Sequence, residues 1–199
     1  MKNVLVVQSS LNNQSGNSTK LANQYIEALQ NQTPIKVTAR NLAEEDLPHL
    51  SDLEMQAWMT AEAQRTDNQT KLAAISQSIV DDVLLAEEIV LAVPMYNFGI
   101  PSVLKAWFDR LARAGITFQY TENGPKGLLS NKQVTVLAAR GGKYQGTALD
   151  TQTEFIKNFF AFLGLDNIQF IYAEGLAMGD DSAKESWENA NKKIMELIG

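Results

Sequence analysis

Ile89-Val90-Leu91-Ala92-Val93 is an unbroken apolar run closed by Pro94. A short run of this kind reads as a strand buried on both faces, and such strands belong to parallel sheets covered by helices. Pro94 ends the strand, and Pro101 suits the first turn of a helix, where its missing N–H costs nothing. Between the prolines lie Met95, Tyr96, Asn97, Phe98, Gly99 and Ile100, at the carboxyl end of a central strand, where open parallel sheets bind ligands. The helix after Pro101 puts Val103, Leu104, Trp107, Phe108 and Leu111 on one face, with Lys105, Asp109, Arg110 and Arg113 on the other, solvated one. Lys105–Asp109 and Asp109–Arg113 add i,i+4 pairs worth about 0.3–0.5 kcal/mol each. Taken alone, Tyr96-Asn97-Phe98 is better explained as a strand-to-helix turn with its aromatics in the core.

The same alternation runs along the chain. Residues 2–8 form a first buried strand. Residues 34–40 form an edge strand, with Ile35, Val37 and Ala39 facing inward and Lys36, Thr38 and Arg40 facing water. Residues 68–86 form a helix with Leu72, Ile75, Ile79 and Val83 inward, and 132–138 form a fourth strand. Residues 151–163 are a helix and 167–173 a fifth strand; Ser182 then opens a last helix with Trp187, Ala190, Ile194 and Leu197 inward. Residues 41–67 are harder to read: they are acidic, contain Pro48, and carry an apolar cluster of Met55, Trp58 and Met59 that suits a helix. With no repeat or linker, residues 1–199 predict a single doubly wound α/β domain. Its five-stranded parallel sheet takes the order 2-1-3-4-5, with helices on both faces.

In that order the loops after the first, third and fourth strands meet at one edge of the sheet. The first, Ser9 to Thr19, is rich in hydroxyls and amides and enters a helix with Leu21, Tyr25, Ile26 and Leu29 inward. Free N–H groups at the positive end of a helix dipole make a natural phosphate site. Simple N-capping by Asn17 or Ser18 explains the same composition. Neither a dinucleotide glycine pattern nor a Walker A sequence is present. The loop after the fourth strand, Ala139-Arg140-Gly141-Gly142-Lys143-Tyr144, has adjacent glycines that permit positive φ and close approach of N–H groups to a flat ligand. A plain glycine turn would look alike. The convergence of all three loops raises the ligand reading of each.

Composition removes several function classes. A net charge of −6 argues against nucleic acid and anionic membranes as partners. There is no cysteine, hence no disulfide, thiolate metal site or thiol chemistry, and one histidine, His49, is too few for a triad or a histidine-rich metal site. No stretch approaches a membrane span, and Lys2-Asn3 lead straight into Val4, too short for a signal peptide, so the cytoplasm is the expected compartment.

Pro94-Met95-Tyr96-Asn97-Phe98, Ile100-Pro101, Leu104-Lys105 and Ala112-Arg113-Ala114-Gly115-Ile116-Thr117-Phe118 form one series of familiar words. It continues through Tyr120-Thr121-Glu122-Asn123-Gly124-Pro125 and Gly127-Leu128. The series closely resembles the FMN-dependent NADH-azoreductases, also described as NAD(P)H quinone reductases of flavodoxin-like fold, and the resemblance runs the length of the chain. It implies that Ser10, Gly16, Asn17 and Ser18 hold the FMN phosphate and that Met95, Tyr96, Asn97 and Phe98 lie along the isoalloxazine. It also implies that Ala139, Arg140, Gly141 and Gly142 hydrogen-bond the pyrimidine edge. Gly16 and Ala139 stand where relatives often carry serine, so FMN affinity is expected to be altered and not lost. The implied chemistry is ping-pong hydride transfer from NADH or NADPH, through tight noncovalent FMN, to quinones and aromatic azo compounds, with no covalent catalytic residue.

The helix at 151–163 carries Phe155, Ile156, Phe159, Phe160, Phe162 and Leu163 over an arc of roughly 160°, wider than the about 100° that packing on one sheet requires. With the resemblance, this points to a homodimer in which Phe118, Tyr120 and Phe162 stack on substrate. A flavodoxin-type electron carrier is the alternative; the insertion Gly115–Leu128, which looks like a wall over the flavin, argues against it. A phosphodiesterase ranks last, since no metal-ligand cluster is legible.

Overall fold

A computed structural model describes residues 1–199. The chain runs β1 (Lys2–Gln8), α1 (Asn17–Gln32), β2 (Ile35–Asn41), α2 (Asp52–Met59), α3 (Asp67–Leu85), β3 (Glu88–Pro94) and α4 (Ser102–Leu111). There follow β4 (Phe118–Thr121), β5 (Gly124–Gly127), β6 (Gln133–Ala139), α5 (Thr151–Leu163), β7 (Ile168–Ala173) and α6 (Asp180–Ile198). Five strands form one parallel sheet in the order β2-β1-β3-β6-β7. Counting sheet strands alone, this is the expected 2-1-3-4-5.

Every residue of β3 is buried, because strands flank it on both sides and its side chains leave the sheet alternately into two apolar layers. Ile89, Leu91 and Val93 pack with Ile79, Trp107, Phe108 and Phe160 from α3, α4 and α5. Val90 and Ala92 pack with Leu21, Tyr25, Ala190 and Ile194 from α1 and α6. No helix is long and apolar enough to cross a membrane.

Four local expectations change. β2 is exposed through most of its length, and Val37 is 38% exposed. This strand stands at the outer edge of the sheet with a strand on one side only, tied to α3 by Arg40, which donates to Asp82 and Ser78. The 115–128 insertion is an antiparallel hairpin, β4 paired with β5, which the sequence analysis left without strands. In α2 the buried residues are Glu54 and Ala57, while Met55 and Met59 face solvent. Arg110 on α4 and Arg113 just past its end are buried and not solvated. Arg110 forms a fork with both Glu54 carboxylate oxygens at 2.7 and 2.6 Å and donates to the Pro48 carbonyl. Arg113 stacks over Trp58 and donates to Ser76, so the Asp109–Arg113 pair is not made, whereas Lys105–Asp109 is.

At the opposite end of the sheet from the loops, the buried Glu88 carboxylate accepts from Tyr25 (2.6 Å), Thr135 (2.7 Å) and Lys2 (2.6 Å). Burial, reinforced by the Glu88 charge, pushes the Tyr25 phenol far above its ordinary value, so it remains a donor across the physiological range.

Candidate functional site

The first loop leaves α1 without a side-chain cap. Gly16 is its N-cap residue, and Asn17 and Ser18 lie inside the helix and do not cap it. Ser51, Thr66 and Asp150 accept N–H bonds at the starts of α2, α3 and α5, whereas α4 and α6 begin at Pro101 and Gly179 without a side-chain cap. The N–H groups of Asn17, Ser18 and Thr19 have no backbone acceptor. The Ser18 hydroxyl is fully buried and has no partner either. A buried hydroxyl left unpaired costs about 1–3 kcal/mol. Three free N–H groups at the positive end of a dipole, with a waiting hydroxyl, fit a phosphate. A Cβ at Gly16 would fall 2.2 Å from Ser10 Oγ, so the Ser10 side chain fills the room that a residue at 16 would need.

Ser18 opens on a cavity of about 190 Å³ to which all three loops contribute. Ser10, Asn17 and Ser18 come from the first loop, Met95 and Tyr96 from the second, and Ala139, Arg140 and Gly141 from the third. Leu176 and Ala177, from the loop after β7, complete the lining. That pair was not expected from the sequence, since nothing in an apolar dipeptide marks it; the one signal is its place after the fifth sheet strand. A second cavity, of about 540 Å³, shares Met95 and Tyr96 and extends along Asn97, Ile100 and Leu11. The N–H groups of Gly141 and Gly142 make no backbone bond, while their carbonyls accept from Ala177 (3.0 Å) and Gly175 (2.9 Å). Neither glycine has positive φ. What glycine supplies at 142 is space, since a Cβ there would meet the Tyr144 ring at 2.6 Å.

Tyr96-Asn97-Phe98-Gly99 is a tight turn closed by Tyr96 N–H to Gly99 O (3.1 Å) and Gly99 N–H to Tyr96 O (2.9 Å). Asn97 and Phe98 both take left-handed backbone, with φ of 50° and 66°. Two-residue turns of this type favour Asn-Gly, and a phenylalanine in the second place costs about 1–2 kcal/mol. The Phe98 ring is 46% exposed and stands edge-on to Tyr144 at 5.6 Å, outside both cavity linings.

The Arg140 side chain is wholly buried and committed to protein partners. It donates to Asp150 (2.8 Å), Glu174 (2.9 Å), Thr153 (3.0 Å) and Gln152 (3.3 Å), and its guanidinium lies over Tyr172. Burial raises the Asp150 carboxyl, but the Arg140 and Thr153 hydrogen bonds outweigh it and hold the group below its ordinary value. Burial also raises the Tyr172 phenol. Phe118 and Tyr120 on the hairpin form their own cluster with Phe162 of α5, whose ring lies 4.5 Å from Phe118, while that of Tyr120 lies 5.3 Å from it. None of the three lines either cavity.

A profile of proteins with the flavodoxin-like fold matches residues 2–198. The chain is 55% identical, over 99% of its length and 98% of the relative's, to an FMN-dependent NADH:quinone oxidoreductase of Alteromonas mediterranea. A protein of the same description from Cellvibrio japonicus is 50% identical over 100% and 99% of the two chains. Among solved structures, an azoreductase from Bacillus anthracis superposes with a TM-score of 0.90 at 26% identity, covering 100% of this chain and 99% of that one.

Proposed function

Because the chain belongs to the flavodoxin-like family of FMN-dependent quinone reductases and azoreductases, we propose that it is an FMN-dependent oxidoreductase that oxidises NADH and reduces quinones and aromatic azo compounds. The observation that carries this reading is the uncapped start of α1, where the orphaned Ser18 hydroxyl opens into the cavity shared by three loops. The residues fit FMN: Asn17, Ser18 and Thr19 supply donors for its phosphate, and Gly141 and Gly142 supply unpaired N–H groups where a reduced ring would carry negative charge. FMN, when bound, supplies the two-electron chemistry, taking hydride from NADH and giving it to the acceptor.

The chain's own part is to bind, orient and exclude. Met95 and Tyr96 line both cavities, and we read electron donor and acceptor as taking the same place in turn, a ping-pong order. With no cysteine and one histidine, no side-chain nucleophile is required. The winding is read as doubly wound, and the compartment as cytoplasm. The direct test is a visible spectrum with added FMN, followed by bleaching on NADH and recovery on a quinone; a protein that takes up no FMN ends the reading. Ser18→Ala sharpens it. Since Ser18 Oγ is buried without a partner in the chain, the variant should be no less stable than the parent and gain up to about 1–3 kcal/mol. Its FMN dissociation constant should rise roughly tenfold or more.

The active form is read as a homodimer. Tyr120 is 77% and Phe155 37% exposed, and the Phe118–Tyr120–Phe162 cluster stands apart from both cavities. A second copy would cover these aromatics and bring such a cluster over a neighbouring cleft. Light scattering at micromolar concentration should give twice the chain mass, and Phe162→Ala should raise acceptor KM with FMN binding unchanged. A fully active monomer would remove the shared site, and unchanged KM and kcat would remove Phe162 from it.

A further inference from the structure

Gln152 lies outside every motif of the sequence, yet it is 1% exposed and hydrogen-bonds at both ends. Its Nε2 donates to the carbonyls of Pro94 (3.0 Å) and Gly99 (3.2 Å), the two ends of the loop that carries the left-handed turn. Its Oε1 accepts from Arg140 (3.3 Å), the residue that leads into Gly141 and Gly142. One residue earlier, the Thr151 hydroxyl donates to the Phe98 carbonyl at 2.5 Å. A strained turn persists only where its surroundings over-determine it, and the first two residues of α5 grip the turn at successive carbonyls.

We propose that Gln152, assisted by Thr151, is a positioning residue that holds the Tyr96–Gly99 turn in its strained form and sets its spacing from the Gly141–Gly142 N–H groups. The proposal rests on the FMN reading for its functional consequence and on geometry alone for the grip itself. The two ends of the Gln152 amide separate the possible roles. Gln152→Glu keeps an acceptor for Arg140 and loses the donor to Pro94 and Gly99; Gln152→Met loses both.

If the donor end matters, both variants weaken FMN binding by roughly tenfold or more, the scale of a buried hydrogen bond. Both also speed hydrogen exchange at the Tyr96 and Gly99 N–H groups that close the turn. The penalty should shrink to a few-fold on a Phe98→Gly background, where the strain is gone and no grip is needed. Thr151→Val, at an exposed position, should show the same signature more weakly and covers the case in which a Gln152 variant fails to fold. Wild-type FMN affinity and exchange in Gln152→Glu would overturn the proposal, as would penalties that simply multiply on the Phe98→Gly background. If the parent binds no FMN, the functional reading fails, and the exchange rates still decide whether the grip exists.

Discussion

Gly127→Ala is expected to lower the melting temperature by roughly 6–12 °C, which corresponds to about 3 kcal/mol at 2–4 °C per kcal/mol for a chain of this size. A Cβ on Gly127 would stand 2.0 Å from Gly164 N, 2.2 Å from Leu163 C and 2.4 Å from Gly164 Cα. All three are backbone atoms at the end of α5, so no rotamer change relieves the clash; β5 must move. Gly164 cannot yield, because it ends α5 in left-handed backbone with φ 96° and its own Cβ position lies 2.6 Å from Leu129 O. Two glycines packed backbone to backbone therefore pin the hairpin to α5, with Leu129 N–H to Leu163 O (3.0 Å) as the adjoining bond. Gly115→Ala is the control. Its φ is 81° but nothing lies within 4 Å of its Cβ position, so only the conformational cost of about 1–2 kcal/mol applies. Since the hairpin carries Phe118 and Tyr120, the displaced variant should also lose acceptor KM before it loses FMN. A melting temperature within 2 °C of the parent, against the expected fall, would mean that the hairpin is not pinned there.

The parallel sheet was legible because burial on both faces leaves a compositional mark. Ile89–Val93 could not be half-solvated, and its order in the sheet followed from alternation with helices. The hairpin was not legible for the opposite reason. β5 is Gly-Pro-Lys-Gly, with no alternation and no β-branched residue, and it pairs because Gly127 can approach α5, a tertiary fact. At the site, loop chemistry left the ligand reading open and the resemblance singled out Ser10, Asn17, Ser18 and Gly141; the structure gathers them around one cavity. Gln152 was invisible because its value lies in which carbonyls it reaches, and these are more than fifty residues away in sequence. Positive φ was looked for at Gly141 and occurs instead at Asn97, which tolerates it, and at Phe98, where sequence preference argues against it. Strain of that kind is held by long-range bonds and leaves no local signature.

Arg110→Met is expected to destabilise the protein by about 3–5 kcal/mol, the cost of leaving one member of a buried ion pair without its partner. Arg110 was assigned to the wet face of α4 on helical periodicity, and periodicity cannot see that Glu54, fifty-six residues earlier, arrives on the same spot. The pair is fully enclosed, with side chains 0% and 3% exposed. Losing the guanidinium strands the Glu54 carboxylate and the Pro48 carbonyl together, and with them the tie that holds residues 48–54 against α4. Glu54→Leu alone strands the arginine instead, and should cost a similar amount. The double variant Glu54→Leu/Arg110→Met should recover most of the loss, because an apolar pair of similar volume carries no desolvation penalty. Urea unfolding of the three variants gives the coupling directly. If the single changes cost less than 1 kcal/mol each, against the expected range, the fork is not an enclosed ion pair. If the costs instead add in the double variant, the two residues do not act as a pair, and α2 is held by its apolar contacts alone.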